Sequence, residues 1–162
     1  MTENMSLTQE RVNSNIFGVA LFIVDPQNRV LTFREKETKP STGKVAGDYS
    51  VLCETRKAGE GWLANIRRGL TEELGLREVP LKDIFDFSDR RIWESGFISK
   101  VWSTVAVLRC NNPSKLEELI GSGGDTNGVE VIGWKTREEF ESLPLRMGVR
   151  NLMNKFGDNI FQ

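Results

Sequence analysis

Apolar residues recur along this chain in two different periods. Residues 15–24 (NIFGVALFIV) are almost unbroken in hydrophobicity, rich in β-branched and aromatic types, and stop at Asp25-Pro26-Gln27-Asn28. That is the pattern of a buried strand closed by a turn. Residues 29–34 supply a second strand and complete a hairpin. Residues 35–48 are polar, with Gly, Pro, Ser and Thr, and read as a loop; 49–53 reads as a short strand. Over 61–74 the period changes. Leu63, Ile66, Leu70 and Leu74 fall on one helical face, and Gly75 stands where a C-cap belongs.

The second half returns to strands. The pattern predicts one at 82–88, a charged, turn-like stretch at 89–96, and a long strand at 97–109. In that long strand Val101, Ser103, Val105 and Val107 share one face, and Trp102, Thr104, Ala106 and Leu108 the other. A short helical turn is expected at 114–120, followed by the glycine-rich GSGGDTNG. This loop lacks the lysine–serine ending of a phosphate-binding loop and reads as a flexible connection. A last strand at 129–134 leads to a short helix at 136–143, with Thr136 as N-cap and Glu139 at the capping-box position. Beyond Pro144 a C-terminal helix is expected over about 146–156. The expected class is α/β (α+β), a mixed sheet sandwiched between helices. Trp62 and Trp134 are assigned to the core. Packing is also the stronger reading of Trp93 and Phe97, which flank the charged turn, over stacking on a base.

Composition narrows the function. A chain of 162 residues fits one domain over 1–162, with 1–12 a flexible N-terminal segment. The net charge of −1 gives no bulk attraction to nucleic acid or to an anionic membrane. The polar first residues lack a signal-peptide core, and the apolar run at 16–24 is too short to span a bilayer. Two cysteines, Cys53 and Cys110, without a ligand spacing fit a reducing compartment, so a cytoplasmic protein is expected. Histidine is absent. Histidine triads and histidine-ligated zinc are therefore excluded, and acid–base or metal chemistry must rest mainly on carboxylates.

The segment 54–76, E-TRKAG-E-GWLANIR-RGLTEELGL, concentrates such groups. Arg68 and Glu72 lie one turn apart, Glu72 and Glu73 are adjacent, and positions 69, 72 and 73 crowd one end of the helix's polar surface. Carboxylates so placed repel one another unless a cation sits between them. Oxygen ligands of this kind suit Mg²⁺, Mn²⁺ or Ca²⁺. On the helix alone, a solvated Arg–Glu pair is the commoner explanation.

The spacing resembles the Nudix box, G-x5-E-x7-R-E-U-x-E-E-x-G-U with U aliphatic. Glu60, Arg68, Leu70, Glu72, Glu73, Gly75 and Leu76 fall in register, and Gly59 precedes Glu60. Trp134, the following Thr136–Phe140 stretch and Leu143-Pro144 also look like that family's late strand, tryptophan and short helix. Two positions depart: Glu54 replaces the leading glycine, and Gly69 replaces the glutamate after the arginine.

The resemblance implies a Mg²⁺-dependent (or Mn²⁺-dependent) hydrolase of a nucleoside diphosphate linked to another moiety, in a fold that often forms homodimers. Glu72, Glu73 and Glu54 would be the metal ligands, and Glu60 with Arg68 the ion pair that braces the box. Glu54 and Glu130 are the candidate general bases. Arg34 and Lys44 are the candidate phosphate contacts. Glu54 would bring to the turn the carboxylate that Gly69 removes from the helix; decay of an unused site is the rival account. A catalytically silent nucleotide-binding or interaction domain is the alternative function.

Overall fold

The computed structural model describes residues 16–76, 79–98, 101–123 and 128–162. The expected flexible segment 1–12 and residues 124–127 of the glycine-rich loop lie outside them. Among the described residues seven strands form one mixed sheet: β1 (Phe17–Val24), β2 (Val30–Glu35), β3 (Tyr49–Ser50), β4 (Leu52–Thr55), β5 (Phe85–Ile98), β6 (Val101–Cys110) and β7 (Val129–Lys135). Four α-helices accompany them there: α1 (Trp62–Leu74), α2 (Pro113–Gly123), α3 (Arg137–Glu141) and α4 (Met147–Ile160).

β1 is central. It runs parallel to β6 over its whole length and antiparallel to β4. Val19, Leu21 and Ile23 enter a core with Ile66, Leu70 and Leu74 of α1 and Leu116 of α2. Ala20, Phe22 and Val24 enter a second core with Phe140 of α3 and Val149, Leu152 and Met153 of α4. A strand buried on both faces needs apolar residues at consecutive positions, which explains its unbroken sequence pattern. β6 alternates as expected: Ala106 and Leu108 join the first core, Val105 and Val107 the second.

The opening hairpin is narrower than the sequence predicts. β1 and β2 pair at Val24 and Val30, beside the turn, where Asp25 Oδ1 accepts from the backbone N–H of Gln27 at 3.0 Å and of Arg29 at 2.8 Å. Beyond that point the strands part: β1 takes β4, and β2 takes β7 and β3. The splaying opens the sheet beside β4.

Four expectations need correction. The stretch 89–96 belongs to β5, whose register on β6 shifts between Asp86 and Arg90 and again between Glu94 and Phe97. β5 is at the end of the strand order, where charged side chains reach solvent without breaking a ladder, so its charges mimic a turn. The long strand accordingly begins at Val101, with Phe97 and Ile98 ending β5. The helix expected at 114–120 spans Pro113–Gly123, running into the glycines, and the C-terminal helix continues past 156 to Ile160, whose side chain is fully buried.

The capping box of α3 is present: Thr136 Oγ1 accepts from Glu139 N, and Glu139 Oε1 from Thr136 N. Trp62 and Trp134 are half-buried against the first core, at its margin, and Trp134 Nε1 donates to Glu117 at 2.7 Å. Trp93 stacks on Phe156 with ring centroids 5.8 Å apart, in agreement with the packing reading; the Phe97 side chain lies outside the described residues. No helix among the described residues is long and apolar enough to cross a membrane.

Candidate functional site

α1 is capped by Gly61 at its start and by Gly75 at its end, whose φ of 70° is the left-handed geometry a glycine C-cap supplies without strain. Its buried face carries Ile66, Leu70 and Leu74, and between them Asn65 and Gly69. Position 69 therefore belongs to the packed face; the expectation that it crowds the polar surface with 72 and 73 is corrected.

Gly69 has a definite neighbour. A Cβ added there would lie 3.1 Å from Glu54 Cβ, 3.3 Å from Glu54 Cγ and 3.2 Å from Leu52 Cδ2. The helix thus rests directly on β4, and the carbon stem of Glu54 occupies the space a side chain at 69 would need. The glycine, costly inside a helix by about 1 kcal/mol relative to alanine, is accounted for by that close approach.

Arg68 gathers the acidic side chains. Its Nε and Nη2 grip Glu60 at 2.8 and 2.9 Å in a two-pronged contact, Nη1 reaches Glu54 at 3.0 Å and Glu72 at 3.3 Å, and Nη2 also donates to the Thr55 carbonyl. Asn65 Nδ2 donates to the same carbonyl at 3.3 Å. Hydrogen bonds from Arg68, joined by the Lys57 backbone N–H, hold Glu60 down at about 2. The bracing pair is thus a hub joining the turn, β4 and α1.

Glu73 lies on the other flank of the helix end. Burial first, then the charge of Glu54 and a shared hydrogen bond with it, raise Glu73 to about 7. Glu54 Oε2 is buried, and no donor among the described residues reaches it. Two carboxyl groups in this relation either share a proton or hold a cation between them. Glu72 is more open, with 42% of its side chain exposed. Among the described residues no three His, Cys, Asp or Glu side chains converge as a ready-made metal group. What fits a hard cation here is the Glu54–Glu73 pair, since Mg²⁺ commonly takes one or two carboxylates and completes its shell with water and phosphate oxygens.

A cavity of about 220 Å³ opens beside this pair. Glu54 and Glu73 line it together with Lys39, Thr42, Lys44, Cys53 and Arg146, and Val101, Val149 and Leu152 add aliphatic surface. Lys44, singled out from the sequence, is therefore brought to the carboxylates. Arg34 and Glu130 are not among its lining residues: they face each other across the β2–β7 ladder, both exposed, with Arg34 5.8 Å from the Tyr49 ring centre.

Arg146 has no sequence signal. Segment 144–146 runs beside Tyr49, which donates to the Pro144 carbonyl at 2.9 Å and accepts from Arg146 N at 2.7 Å. The guanidinium, almost fully buried, meets Glu35 Oε1 at 3.5 Å and donates to the Thr42 carbonyl. It fastens the loop carrying Lys39 and Lys44 to the start of α4. Burial raises Glu35, with Lys44 and Arg146 opposing, and burial likewise pushes the Cys53 thiol up, which makes that cysteine an inert wall at neutral pH.

No family model matches the sequence, and no curated protein does. The fold has many solved counterparts. A Nudix hydrolase from Nitrosomonas europaea matches with a TM-score of 0.55 at 14% identity, covering 90% of each chain. A MutT/Nudix family protein from Listeria innocua gives 0.52 at 18%, covering 90% of this chain and 94% of its own. The C-terminal domain of mouse MUTYH, solved with human PCNA, gives 0.57 at 15%, covering 89% and 88%. At identities this low the structural matches show the fold alone: the chain has the fold of Nudix hydrolases.

Proposed function

We propose that this Nudix-fold chain is a divalent-metal-dependent hydrolase of a diphosphate linkage in a nucleoside diphosphate joined to another moiety, with Glu54 and Glu73 as its central carboxylates. The observation that carries this reading is the contact between Glu54 and Gly69: the acid's stem fills the space left by the glycine, and its carboxylate stands beside Glu73. The two departures from the box then compensate each other. A carboxylate lost from the helix is supplied from β4, and the charge near the helix end is kept.

Mg²⁺ or Mn²⁺, held by Glu54 and Glu73, would neutralise phosphate charge and lower the pKa of a nearby water. Lys39 and Lys44 meet the phosphate oxygens, and Arg146 fixes the loop that carries them. Arg68 holds the Glu54 carboxylate in place through its Nη1 contact. Water then forms a bond to one phosphorus through its oxygen, and the bond from that phosphorus to the bridging oxygen breaks. The bridging oxygen leaves on the departing phosphate with the electron pair, and the proton passes to a carboxylate. Glu54 and Glu73 line the cavity where that proton is released; Glu130 stands outside it.

The test is Glu54→Gln assayed with Mg²⁺ over a panel of diphosphate esters. Loss of turnover together with weakened metal binding is expected. Unchanged values for both would end the relocation account. The loss of a helix carboxylate at Gly69 favours one second reading, a silent domain that binds a nucleotide or a partner protein; binding without turnover across the panel would select it.

A further inference from the structure

The cavity beside Glu54 and Glu73 has a composition that bears on what enters it. None of its described lining residues is aromatic. Nucleobases are commonly held by stacking on aromatic rings, at about 1–3 kcal/mol per base. The aromatic residues next to the lining in sequence are engaged elsewhere: Phe17 lies beneath the Arg56 guanidinium, and Trp102 is buried. Its walls are cationic at Lys39, Lys44 and Arg146 and aliphatic at Val101, Val149 and Leu152. Its volume, about 220 Å³, falls below the roughly 300–1,000 Å³ usual for enclosing a drug-sized ligand. The described residues do not enclose a nucleoside with its diphosphate and a second group whole.

From this geometry we infer that the cavity takes a compact, non-aromatic group esterified to the diphosphate, while the nucleoside stays outside it. The inference rests on the diphosphate reading above and names which half of the substrate is enclosed. The aliphatic wall covers the carbon skeleton, and the lysines meet the phosphate oxygens at its mouth. The enclosed group is a short alkyl chain or a single sugar ring, both of which satisfy that chemistry.

Methylene-bridged diphosphonates, which resist hydrolysis, separate binding from turnover. Binding to the full chain in saturating Mg²⁺ is measured by calorimetry for the butyl, glucosyl and adenosyl forms. The butyl or the glucosyl form is expected to bind at least tenfold tighter than the adenosyl form, and the preferred one identifies the source of the group. Leu152→Phe, which fills the cavity, is expected to remove that preference. If that variant does not fold, the wild-type panel still decides. Equal or tighter binding of the adenosyl form overturns the inference, as does absence of binding by both compact forms. Binding of a compact form, with no turnover of its hydrolysable diphosphate or of the nucleoside-linked ester, upholds the inference and fails the hydrolase reading. Turnover confined to nucleotides whose base enters the cavity does the reverse.

Discussion

Arg68 and Arg146 each bind a carboxylate and a backbone carbonyl from another segment, yet they leave opposite charges behind. Arg68 is shared by Glu54, Glu60 and Glu72, with Glu73 close by, so negative charge is in surplus around it. Arg146 pairs with Glu35, while Lys39 and Lys44 line the same cavity, and there positive charge is in surplus. A cavity between two such surpluses suits a ligand carrying both a cation and an anion, as a metal-bound diphosphate does. The hubs also differ in solvent access. Arg68 keeps 16% of its side chain exposed beside an open Glu72, whereas the Glu35 side chain is 1% exposed.

That difference sets the order of effects. Arg146→Ala leaves the Glu35 carboxylate buried and unpaired, a change that costs about 3–5 kcal/mol. Urea unfolding should report that loss, and a cost below about 1 kcal/mol would put the two hubs on an equal footing. Glu54→Gln should lower Mg²⁺-dependent turnover about a hundredfold, equivalent to about 2.7 kcal/mol of barrier, while leaving the melting temperature within a few degrees.

Gly69→Ala should cost about 1 kcal/mol. Crowding against Glu54 and Leu52, of about 1–3 kcal/mol, outweighs the helix-propensity gain of about 1 kcal/mol. The larger Gly69→Glu should be worse alone and be relieved by Glu54→Gly. A strictly additive double mutant would break the link between the two positions.

Two carboxyl groups should give the metal-free protein opposite pH slopes. Glu60, held from its ordinary 4.5 down to about 2, contributes stability that is present above the unfolded value and is lost as pH falls toward 2. Glu73, raised from 4.5 to about 7, keeps its proton in the folded state, so stability falls as pH rises between those values. Unfolding free energies measured with a chelator should show both limbs. Glu60→Gln should flatten the lower limb alone, and Glu73→Gln the upper alone. The smallest effect is at Glu72: Glu72→Gln should cost under about 0.5 kcal/mol, and the cost should vanish in molar salt, because that pair is exposed.

The two hubs were unequally legible. Every carboxylate that Arg68 holds lies within 14 residues of it, on one turn, strand and helix, so local spacing announces the cluster. Arg146 meets a partner 111 residues away, and no periodicity carries such information. The same divide separates the β-strands. β1, buried on both faces, betrays itself by continuous hydrophobicity, while β5, charged at the sheet edge, reads as a turn until its pairing with β6 is seen.

What the amino-acid order determined by itself was the local and periodic part: the two-faced central strand, the amphipathic α1 with its glycine cap, the Thr136 capping box, and the reliance on carboxylates in a chain without histidine. Each follows from interactions among neighbours a few residues apart. Tertiary structure alone decided that position 69 lies on the packed face of α1, that Glu73 faces Glu54 while Glu72 stays open, and that Lys39 and Arg146 join Lys44 at one cavity. Those facts depend on how strands and helices pack across long loops, where contact is set by shape and burial and leaves no repeat in the sequence.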